Sequence, residues 1–314
     1  MRTVFMGSAP LACRCLEALL SSGEDSVSAV VTQPDRPRGR RLKVAPCAVK
    51  VLAAEAGLPI LTPARVNTEE SLAAIAGFAP EVIVVVAYGQ ILKPALLGLP
   101  PAGCVNLHAS LLPRLRGAAP VQWALARGEE VTGMTSMYMN EGMDEGDIIF
   151  QESLRIGPDE TADSLHDRLA ALAGEVLLTT LAALREDRAP RRAQNDDEAT
   201  YAPKLTRQDG RIDWTMSARA IYNRVRAFTP WPGSYCKCPG DPTAVLKVKR
   251  VRVEPAPAAG AAPGEVIGVD AEGPLVGAGV EAVRLLEVQP AGRKTMTGAA
   301  YLCGHRLQGG ERFG

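Results

Sequence analysis

The chain has 314 residues, of which 46% are apolar and 22% charged, so it is long enough for two domains and can bury sizeable cores. The formal net charge is zero, and no apolar run reaches the roughly 18 residues of a membrane helix, which argues against a membrane-spanning helix. Seven cysteines, an odd number without regular spacing, indicate free thiols in a reducing compartment rather than a disulfide-stabilised secreted protein.

Strand and helix patterns alternate through the first part of the chain. It opens on a strand-like run without a signal sequence or presequence, so we expect a cytoplasmic protein. Helix starts are predicted at Pro10, at Pro46 and at a capping pair of Asn67 and Glu70. Short apolar runs predict strands at residues 3–6, 27–31, 81–87 and 103–107. This alternation predicts an α/β fold with an open, mostly parallel sheet covered on both faces.

A basic loop follows the second predicted strand. Residues 33–43 contain five cationic side chains, together with prolines and a glycine that we expect to prevent regular structure. Such a loop is commonly only a solvated surface, but it can also bind the phosphates of an RNA. The cationic residues are Arg36, Arg38, Arg40, Arg41 and Lys43.

Two motifs carry side chains suited to acyl transfer. The first is Asn-Leu-His-Ala-Ser-Leu-Leu-Pro, from Asn106 to Pro113, and the second, at residues 143–148, contains Asp144. In a strand over residues 104–108 the side chains of Asn106 and His108 point to the same face. A carboxamide can stabilise an oxyanion, and an imidazole with a carboxylate can move a proton. Each residue alone is more often structural, but their joint spacing predicts a catalytic site of Asn106, His108 and Asp144.

These motifs resemble those of the folate-dependent formyltransferases, in which Asn-x-His-x-Ser-Leu-Leu-Pro precedes an aspartate in Gly-x-Asp-x-Gly-Asp-Ile. The resemblance extends to residues 209–214 and 228–232, and so covers nearly the whole chain. It departs from the pattern at Leu115, where many relatives carry tryptophan. The resemblance implies a Rossmann-like formyltransferase domain followed by a small OB-like β-barrel domain.

The resemblance also implies which residues bind substrates. The basic loop matches an insertion that contacts tRNA in the family, and we expect its five cationic residues to do so. The family's folate-contact run matches Ser110, Leu111, Leu112 and Pro113. Its pterin pocket matches residues 85–92, of which we expect five to line the pocket: Tyr88, Gly89, Gln90, Ile91 and Leu92.

The reaction implied by the resemblance transfers the formyl group of 10-formyltetrahydrofolate to the α-amino group of initiator methionyl-tRNA, giving formylmethionyl-tRNA for translation initiation. Asn106 would donate to the formyl oxygen, and His108 would be a second, cationic donor. Asp144 would orient His108 and relay the proton to folate N10. Ser110 lacks a nucleophile elbow, so we expect no covalent serine step.

Metal binding and oligomerisation are not expected. The cysteines in Cys13-Arg-Cys15 and Cys236-Lys-Cys238 are too sparse, and too far from clustered histidines, to serve as zinc ligands. We expect the protein to act as a monomer whose partners are tRNA and the folate co-substrate.

The remaining sequence predicts a long helix, a linker and a second domain. Helical spacing predicts one helix over residues 161–184, followed by a charged, proline-flanked linker at 190–208. Residues 217–228 suit a short helix, and the short β-prone runs after it suit a small barrel, with a bulge at Lys249-Arg250. We therefore predict a catalytic domain at 1–189 and a tRNA-binding domain at 209–314. A fragment ending near Pro203 should then fold alone.

Charge is distributed unevenly along the chain. Residues 205–314 contain 15 Lys and Arg against 10 Asp and Glu, whereas the first 204 residues contain 20 against 25. The C-terminal part is therefore +5 and the rest −5, a weak indication that the C-terminal part has a nucleic-acid surface.

Three other functions are weaker alternatives. A dinucleotide-dependent dehydrogenase would share the sheet, but residues 7–10 lack Gly-x-Gly-x-x-Gly. A formyltransferase for a small amine, such as glycinamide ribonucleotide or an amino sugar, would need neither the basic loop nor a charged C-terminal barrel. A non-catalytic RNA-binding protein would not need Asn106, His108 and Asp144 together.

Overall fold

Nine strands and six helices make up the N-terminal two thirds of the computed structural model, which describes residues 1–38, 43–255 and 261–314. The strands are β1 (Arg2–Gly7), β2 (Ser26–Val31), β3 (Arg36–Arg38), β4 (Lys43–Ala45), β5 (Ile60–Leu61), β6 (Val82–Val86), β7 (Cys104–His108), β8 (Val131–Tyr138) and β9 (Ile148–Arg155). The helices are α1 (Pro10–Ser22), α2 (Ala48–Glu55), α3 (Glu69–Ala76), α4 (Pro94–Leu97), α5 (Pro120–Arg127) and α6 (Ala162–Arg185).

The central sheet has the strand order β5-β2-β1-β6-β7-β8-β9. The pairs from β5 to β7 are parallel, and β8 and β9 are antiparallel additions at one edge. Every side chain of β6, a run of valines and one isoleucine, is buried, as expected for a strand covered on both faces. The predicted mostly parallel α/β sheet is therefore confirmed.

The sheet has its topological switch between β1 and β6, because the chain leaves β1 toward β2 and later returns to β6 on the other side. In open α/β sheets a crevice for ligands forms at the carboxyl ends of the strands next to this point. Strand β7, which ends at His108, pairs directly with β6. The first of the two acyl-transfer motifs therefore begins beside this crevice.

Three local predictions differ from the structure. Helix α2 begins at Ala48 rather than at Pro46, and its N-cap is Cys47. The N-cap of α3 is Thr68, whose hydroxyl accepts from the amide of Ser71, and Asn67 instead bonds to the backbone of Ile91 and Lys93. The basic loop does contain regular structure, because β3 and β4 form a short antiparallel hairpin. Short edge strands tolerate proline, so the two prolines did not exclude this hairpin.

The C-terminal third contains a second, antiparallel sheet with the order β10-β11-β14-β13-β12, and β15 pairs with β14. The bulge predicted at Lys249-Arg250 is confirmed by shifts in register on both sides of Arg250. The elements are α7 (Ala218–Ala227), β10 (Ser234–Cys238), β11 (Asp241–Glu254), β12 (Val266–Asp270), β13 (Gly273–Gly277), β14 (Ala282–Pro290), β15 (Met296–Thr297) and α8 (Gly298–Gly304).

The chain separates into two compact units that are not divided at one sequence position. The first unit comprises Met1–Pro120, Val131–Arg155 and His166–Ala202. The second comprises Val121–Glu130, Ile156–Leu165 and Pro203–Gly314. Two short segments of the N-terminal sequence therefore pack with the C-terminal third.

The contacts within the second unit explain this assignment. The Trp123 indole packs edge-on against Phe228, with ring centroids 6.1 Å apart, and donates to the Pro203 carbonyl at 2.8 Å. The Tyr222 hydroxyl donates to the Pro158 carbonyl at 2.7 Å, and Arg226 donates to the Gly157 carbonyl at 3.3 Å. A fragment ending near Pro203 would lose the contacts made by Phe228, Tyr222 and Arg226, which the expectation that it folds alone did not take into account.

Candidate active site

Asn106, His108 and Asp144 meet at the carboxyl end of β7. Asn106 and His108 lie two residues apart on the strand and share one face, as predicted. The Asn106 carboxamide nitrogen lies 3.5 Å from Asp144 Oδ1, and His108 Nδ1 lies 3.6 Å from Asp144 Oδ2. The His108 side chain is 7% exposed, that of Asp144 is 17% exposed and Asn106 is half-buried, so the carboxylate and the carboxamide reach solvent beside a buried imidazole.

The contact made by the other ring nitrogen of His108 shows where the imidazole carries a hydrogen. Nε2 lies 2.9 Å from the carbonyl oxygen of Leu115. A carbonyl can only accept, so Nε2 carries a hydrogen in this contact. Nδ1 is the ring nitrogen that faces Asp144.

The backbone around these side chains is held in left-handed conformations. Asp144 has φ +57° and Leu115 has φ +60°, values that cost a residue with a side chain on the order of 1–2 kcal/mol. Each supplies a contact to the site, Asp144 through its carboxylate and Leu115 through its carbonyl. Gly117, with φ +116°, donates its backbone N–H to Asp144 Oδ2 at 2.8 Å.

A network that the sequence analysis did not identify lies behind Asp144. Arg116, only 2% exposed, donates to Gln194 Oε1 from Nε and Nη2 and pairs with Asp196 at 2.8 Å. Gln194 Nε2 donates to the carbonyls of Asp144 and Gly146, each at 2.8 Å. The hint available in sequence was an arginine next to Gly117 in the Arg114–Pro120 motif, but nothing local linked it to Gln194.

The segment expected to be an exposed linker also contacts the first motif. The Thr200 hydroxyl accepts from the amide of Leu115 at 2.9 Å, and the amide of Arg116 donates to the Thr200 carbonyl at 2.8 Å. Ala202 donates its N–H to the Arg116 carbonyl at 2.7 Å. Residues 190–202 therefore form part of the first unit's hydrogen-bonded structure.

Gly146 should be essential to the position of the Asp144 loop. A Cβ at Gly146 would overlap the carbonyl oxygen of Tyr138, which is backbone of β8 and cannot rotate away. We expect Gly146→Ala to displace the loop and lower kcat about a hundredfold, the usual effect of a misplacement near 1 Å. Gly142→Ala is the matched control, because the atoms nearest to its Cβ belong to the Glu145 side chain, which can rotate away. Equal steady-state kinetics of the two variants would contradict this expectation.

The predicted folate residues differ in how they are used. The Ser110 side chain is fully buried, and its hydroxyl donates to the Arg114 carbonyl at 2.6 Å, which stabilises the turn. Leu112 packs with Met137 and Ile148 in a small buried cluster. Leu111 and Pro113 are partly exposed and border the same turn.

The run from Tyr88 to Leu92 follows β6. Tyr88 and Leu92 are buried in the core of the first unit, whereas the Ile91 side chain is 74% exposed. Gly89 has φ +89° and no side chain to crowd the surface beside Ile91. The Gln90 carboxamide accepts from the amide of Val66 at 2.9 Å and so ties this run to the loop before α3.

Two titratable groups in the core of the first unit remain neutral at physiological pH. Burial raises the pKa of Tyr88 to about 12. Burial also raises the pKa of the Cys104 thiol to about 12. At neutral pH a thiol in that state is not a nucleophile, and a phenol in that state is not a base.

The basic loop is described only in part. Arg36 is exposed and donates to Gln33 Oε1 at 2.9 Å, and Gln33 in turn donates to the Tyr88 carbonyl at 3.2 Å. The base of the loop is therefore connected to the Tyr88–Leu92 run. The predicted tRNA contacts Arg40 and Arg41 lie outside the described residues, and only the backbones of Arg38 and Lys43 are described.

Two kinds of feature are absent from residues 1–38, 43–255 and 261–314. No group of three or more His, Cys, Asp or Glu side chains in these ranges is arranged to hold a metal ion. No helix in the described part of the chain combines the length and apolar character needed to cross a membrane.

Related proteins share both the sequence and the fold. The chain is 48% identical to the methionyl-tRNA formyltransferase of Geobacter sulfurreducens, over 100% of this chain and 97% of that protein. It is 45% identical to the methionyl-tRNA formyltransferase of Moorella thermoacetica, over 100% and 99%. The structure of an N-formyltransferase from Helicobacter canadensis, solved with folinic acid and dTDP-3-aminofucose, superposes with a TM-score of 0.64 at 14% identity, over 91% of this chain and 99% of that one.

Two family models match successive parts of the chain. Residues 1–181 match the formyl transferase family, and residues 204–306 match the formyl transferase C-terminal domain. These ranges include Asn106, His108 and Asp144 in the first match and the antiparallel sheet in the second. The resemblance drawn from the two motifs is therefore confirmed, and the chain belongs to the formyl transferase family.

Proposed function

We propose that this protein transfers the formyl group of 10-formyltetrahydrofolate to the α-amino group of initiator methionyl-tRNA. The observation that carries the proposal is the convergence of Asn106 and His108 on Asp144 at the carboxyl end of β7. The full-length similarity to methionyl-tRNA formyltransferases supports this acceptor over a small amine. The product would be formylmethionyl-tRNA for translation initiation in the cytoplasm.

Asn106 and His108 stabilise the transition state in this proposal. As the amine attacks the formyl carbon and forms a C–N bond, negative charge develops on the formyl oxygen. The Asn106 N–H donates to that oxygen, and one such donor typically contributes roughly 3 kcal/mol. His108, whose Nε2 is bonded to Leu115, supplies the second donor through a protonated Nδ1.

Asp144 moves the proton. A free α-amine has a pKa of about 7.7–8, so much of it is uncharged near neutral pH and needs no strong base before attack. Asp144 accepts the proton that the amine loses as the new bond forms. It passes this proton, directly or through water, to the leaving N10 nitrogen as the bond from formyl carbon to N10 breaks. The Gly117 N–H keeps the carboxylate oriented during this exchange.

The folate co-substrate would be held at the Tyr88–Leu92 run and the Ser110–Pro113 turn. The exposed Ile91 beside Gly89 provides an uncrowded apolar surface at the end of β6, which fits a flat pterin ring. Leu111 and Pro113 border the other side of the proposed site, while Tyr88, Gln90, Leu92, Ser110 and Leu112 support it from within. When bound, the co-substrate supplies the activated formyl group.

We propose that the basic residues Arg36, Arg38, Arg40, Arg41 and Lys43 bind tRNA phosphates. Arg40→Ala together with Arg41→Ala should weaken tRNA binding and reduce the dependence of affinity on salt by about one unit in log–log slope per lost phosphate contact. Arg14→Ala, which removes an exposed arginine of α1, is the matched control. Affinity for tRNA is measured across a salt series. The same slope in the wild type and the double variant would remove the loop from tRNA recognition.

We propose that catalysis belongs to the first unit, which extends through Ala202, and tRNA binding to residues 209–314 of the second unit. The +5 charge of the C-terminal part supports its role with RNA. We propose a monomer that uses no metal.

The function is tested by incubating the protein and 10-formyltetrahydrofolate with each of three acceptors in separate reactions. These are methionyl-tRNA, glycinamide ribonucleotide and an amino sugar nucleotide. We expect mass spectrometry to detect formylmethionine on tRNA and much slower formylation of the small amines. Faster formylation of either small amine would replace the proposed acceptor, and no formylation of any acceptor would reject the enzymatic proposal.

A further inference from the structure

The side chain of Gln194 connects the buried Arg116 to the loop that carries Asp144. Its Oε1 accepts from Arg116 Nε at 3.1 Å and Nη2 at 2.9 Å, and its Nε2 donates to the carbonyls of Asp144 and Gly146. A guanidinium can only donate and a carbonyl can only accept, so the orientation of the carboxamide is fully determined. No other uncharged side chain of this shape offers both functions on one planar group.

The loop needs this support because of its conformation. Asp144 is held at φ +57°, which a residue with a side chain adopts only when its surroundings enforce it. In that conformation its carboxylate lies 3.6 Å from His108 Nδ1 and accepts from the Gly117 amide. The two bonds from Gln194 restrain the backbone on both sides of Glu145, and thus the direction in which the carboxylate points.

The hydrogen-bonding groups around position 194 explain why it carries an amide rather than a carboxylate. Arg116 is almost fully buried. Its guanidinium pairs with Asp196 at 2.8 Å and with Glu145 at 3.8 Å. A carboxylate at 194 could also bond to Arg116. Its second oxygen would, however, face the carbonyls of Asp144 and Gly146, which now accept hydrogen bonds from Gln194. Two acceptors cannot bond to each other, so both carbonyls would lose their partner.

We propose that Gln194 is a positioning residue for formyl transfer, which holds the Asp144 carboxylate toward His108 and is itself held by Arg116. The proposal rests on the function proposed above. Gln194 touches neither of the other catalytic side chains in the described contacts, so its effect on the reaction passes through Asp144.

Gln194→Glu separates positioning from folding. The glutamate keeps the size of the side chain and its contact with Arg116, so the protein should still fold, and its melting temperature should fall by only a few degrees. It loses the donor to Asp144 and Gly146, so kcat for formylation should fall by at least about tenfold. KM for the formyl donor and the Kd for tRNA should change less than about twofold, because the substrates are not contacted. Gln194→Met, which loses both functions, should lower kcat at least as much.

Gln289→Met is the matched control, since that carboxamide donates only to the Arg293 carbonyl in the described contacts, within the second unit. A kcat of Gln194→Glu within twofold of the wild type, or a fall in kcat that Gln289→Met reproduces, would overturn the proposal.

A crystal structure of Gln194→Glu provides a readout that does not depend on the acceptor. We expect Asp144 to lose the hydrogen bond from Gly117 and to move from its 3.6 Å separation from His108. An unmoved Asp144 overturns the role of Gln194 whatever the substrate is. A wild-type enzyme that formylates no methionyl-tRNA instead overturns the proposed function, and the crystal structure still decides the role of Gln194.

Discussion

Alanine at Asn106, His108 or Asp144 should lower kcat for formylation by at least about a hundredfold while leaving tRNA affinity nearly unchanged. The reason is that these groups act on charge and protons that appear only in the transition state, whereas tRNA binding depends on distant phosphate contacts. Steady-state kinetics and tRNA titration on the same preparations measure both quantities.

Two further variants distinguish a loss of catalytic chemistry from a loss of structure. Asp144→Asn keeps an oxygen that can accept from Gly117, so the loop should keep its structure while proton transfer is lost. It should therefore lower kcat as much as Asp144→Ala. His166→Ala, which replaces a histidine in α6, is the control for loss of an imidazole elsewhere. Near-normal turnover of any one of the three alanine variants would show that its assigned role is wrong.

A chain ended after Ala202 should be much less stable than the full chain. It would lack Phe228, which is fully buried, and the groups on α7 that bond to residues 157 and 158. Loss of one large buried aromatic contact typically costs about 3–5 kcal/mol, which corresponds to roughly 6–20 °C in melting temperature for a chain of this size. This expectation replaces the idea that the fragment folds independently.

The loss of stability is measured as the melting temperature of three proteins: the fragment, full-length Phe228→Ala and full-length Val280→Ala. Val280 is 62% exposed in the same unit as Phe228 and serves as the control. Phe228→Ala should account for a large part of the fragment's loss, and Val280→Ala should have little effect. A fragment that melts at the temperature of the full chain would show that the Trp123 and Tyr222 contacts contribute little.

The amino-acid sequence by itself predicted strands β1, β2, β6 and β7, the long helix α6 and the candidate catalytic residues Asn106, His108 and Asp144. A run such as Val82–Val86 predicts a buried parallel strand from local composition, and helical spacing predicted α6 to within one residue at each end. The two-residue period of a strand was enough to place Asn106 and His108 on one face. These inferences succeed because they depend on periodicities of the local backbone.

Only the tertiary structure decided what holds the site together. Gln194 lies 50 residues beyond Asp144, and its role depends on a guanidinium from yet another segment, so no local pattern could reveal it. Ser110 matched a substrate-contact motif, yet its hydroxyl bonds to the Arg114 carbonyl. Trp123 belongs with Phe228, about a hundred residues away, rather than with its neighbours in sequence. In each case the partner of a polar group or an aromatic ring was set by chain segments distant in sequence, because a buried donor, acceptor or ring is satisfied by whatever the fold brings into contact with it.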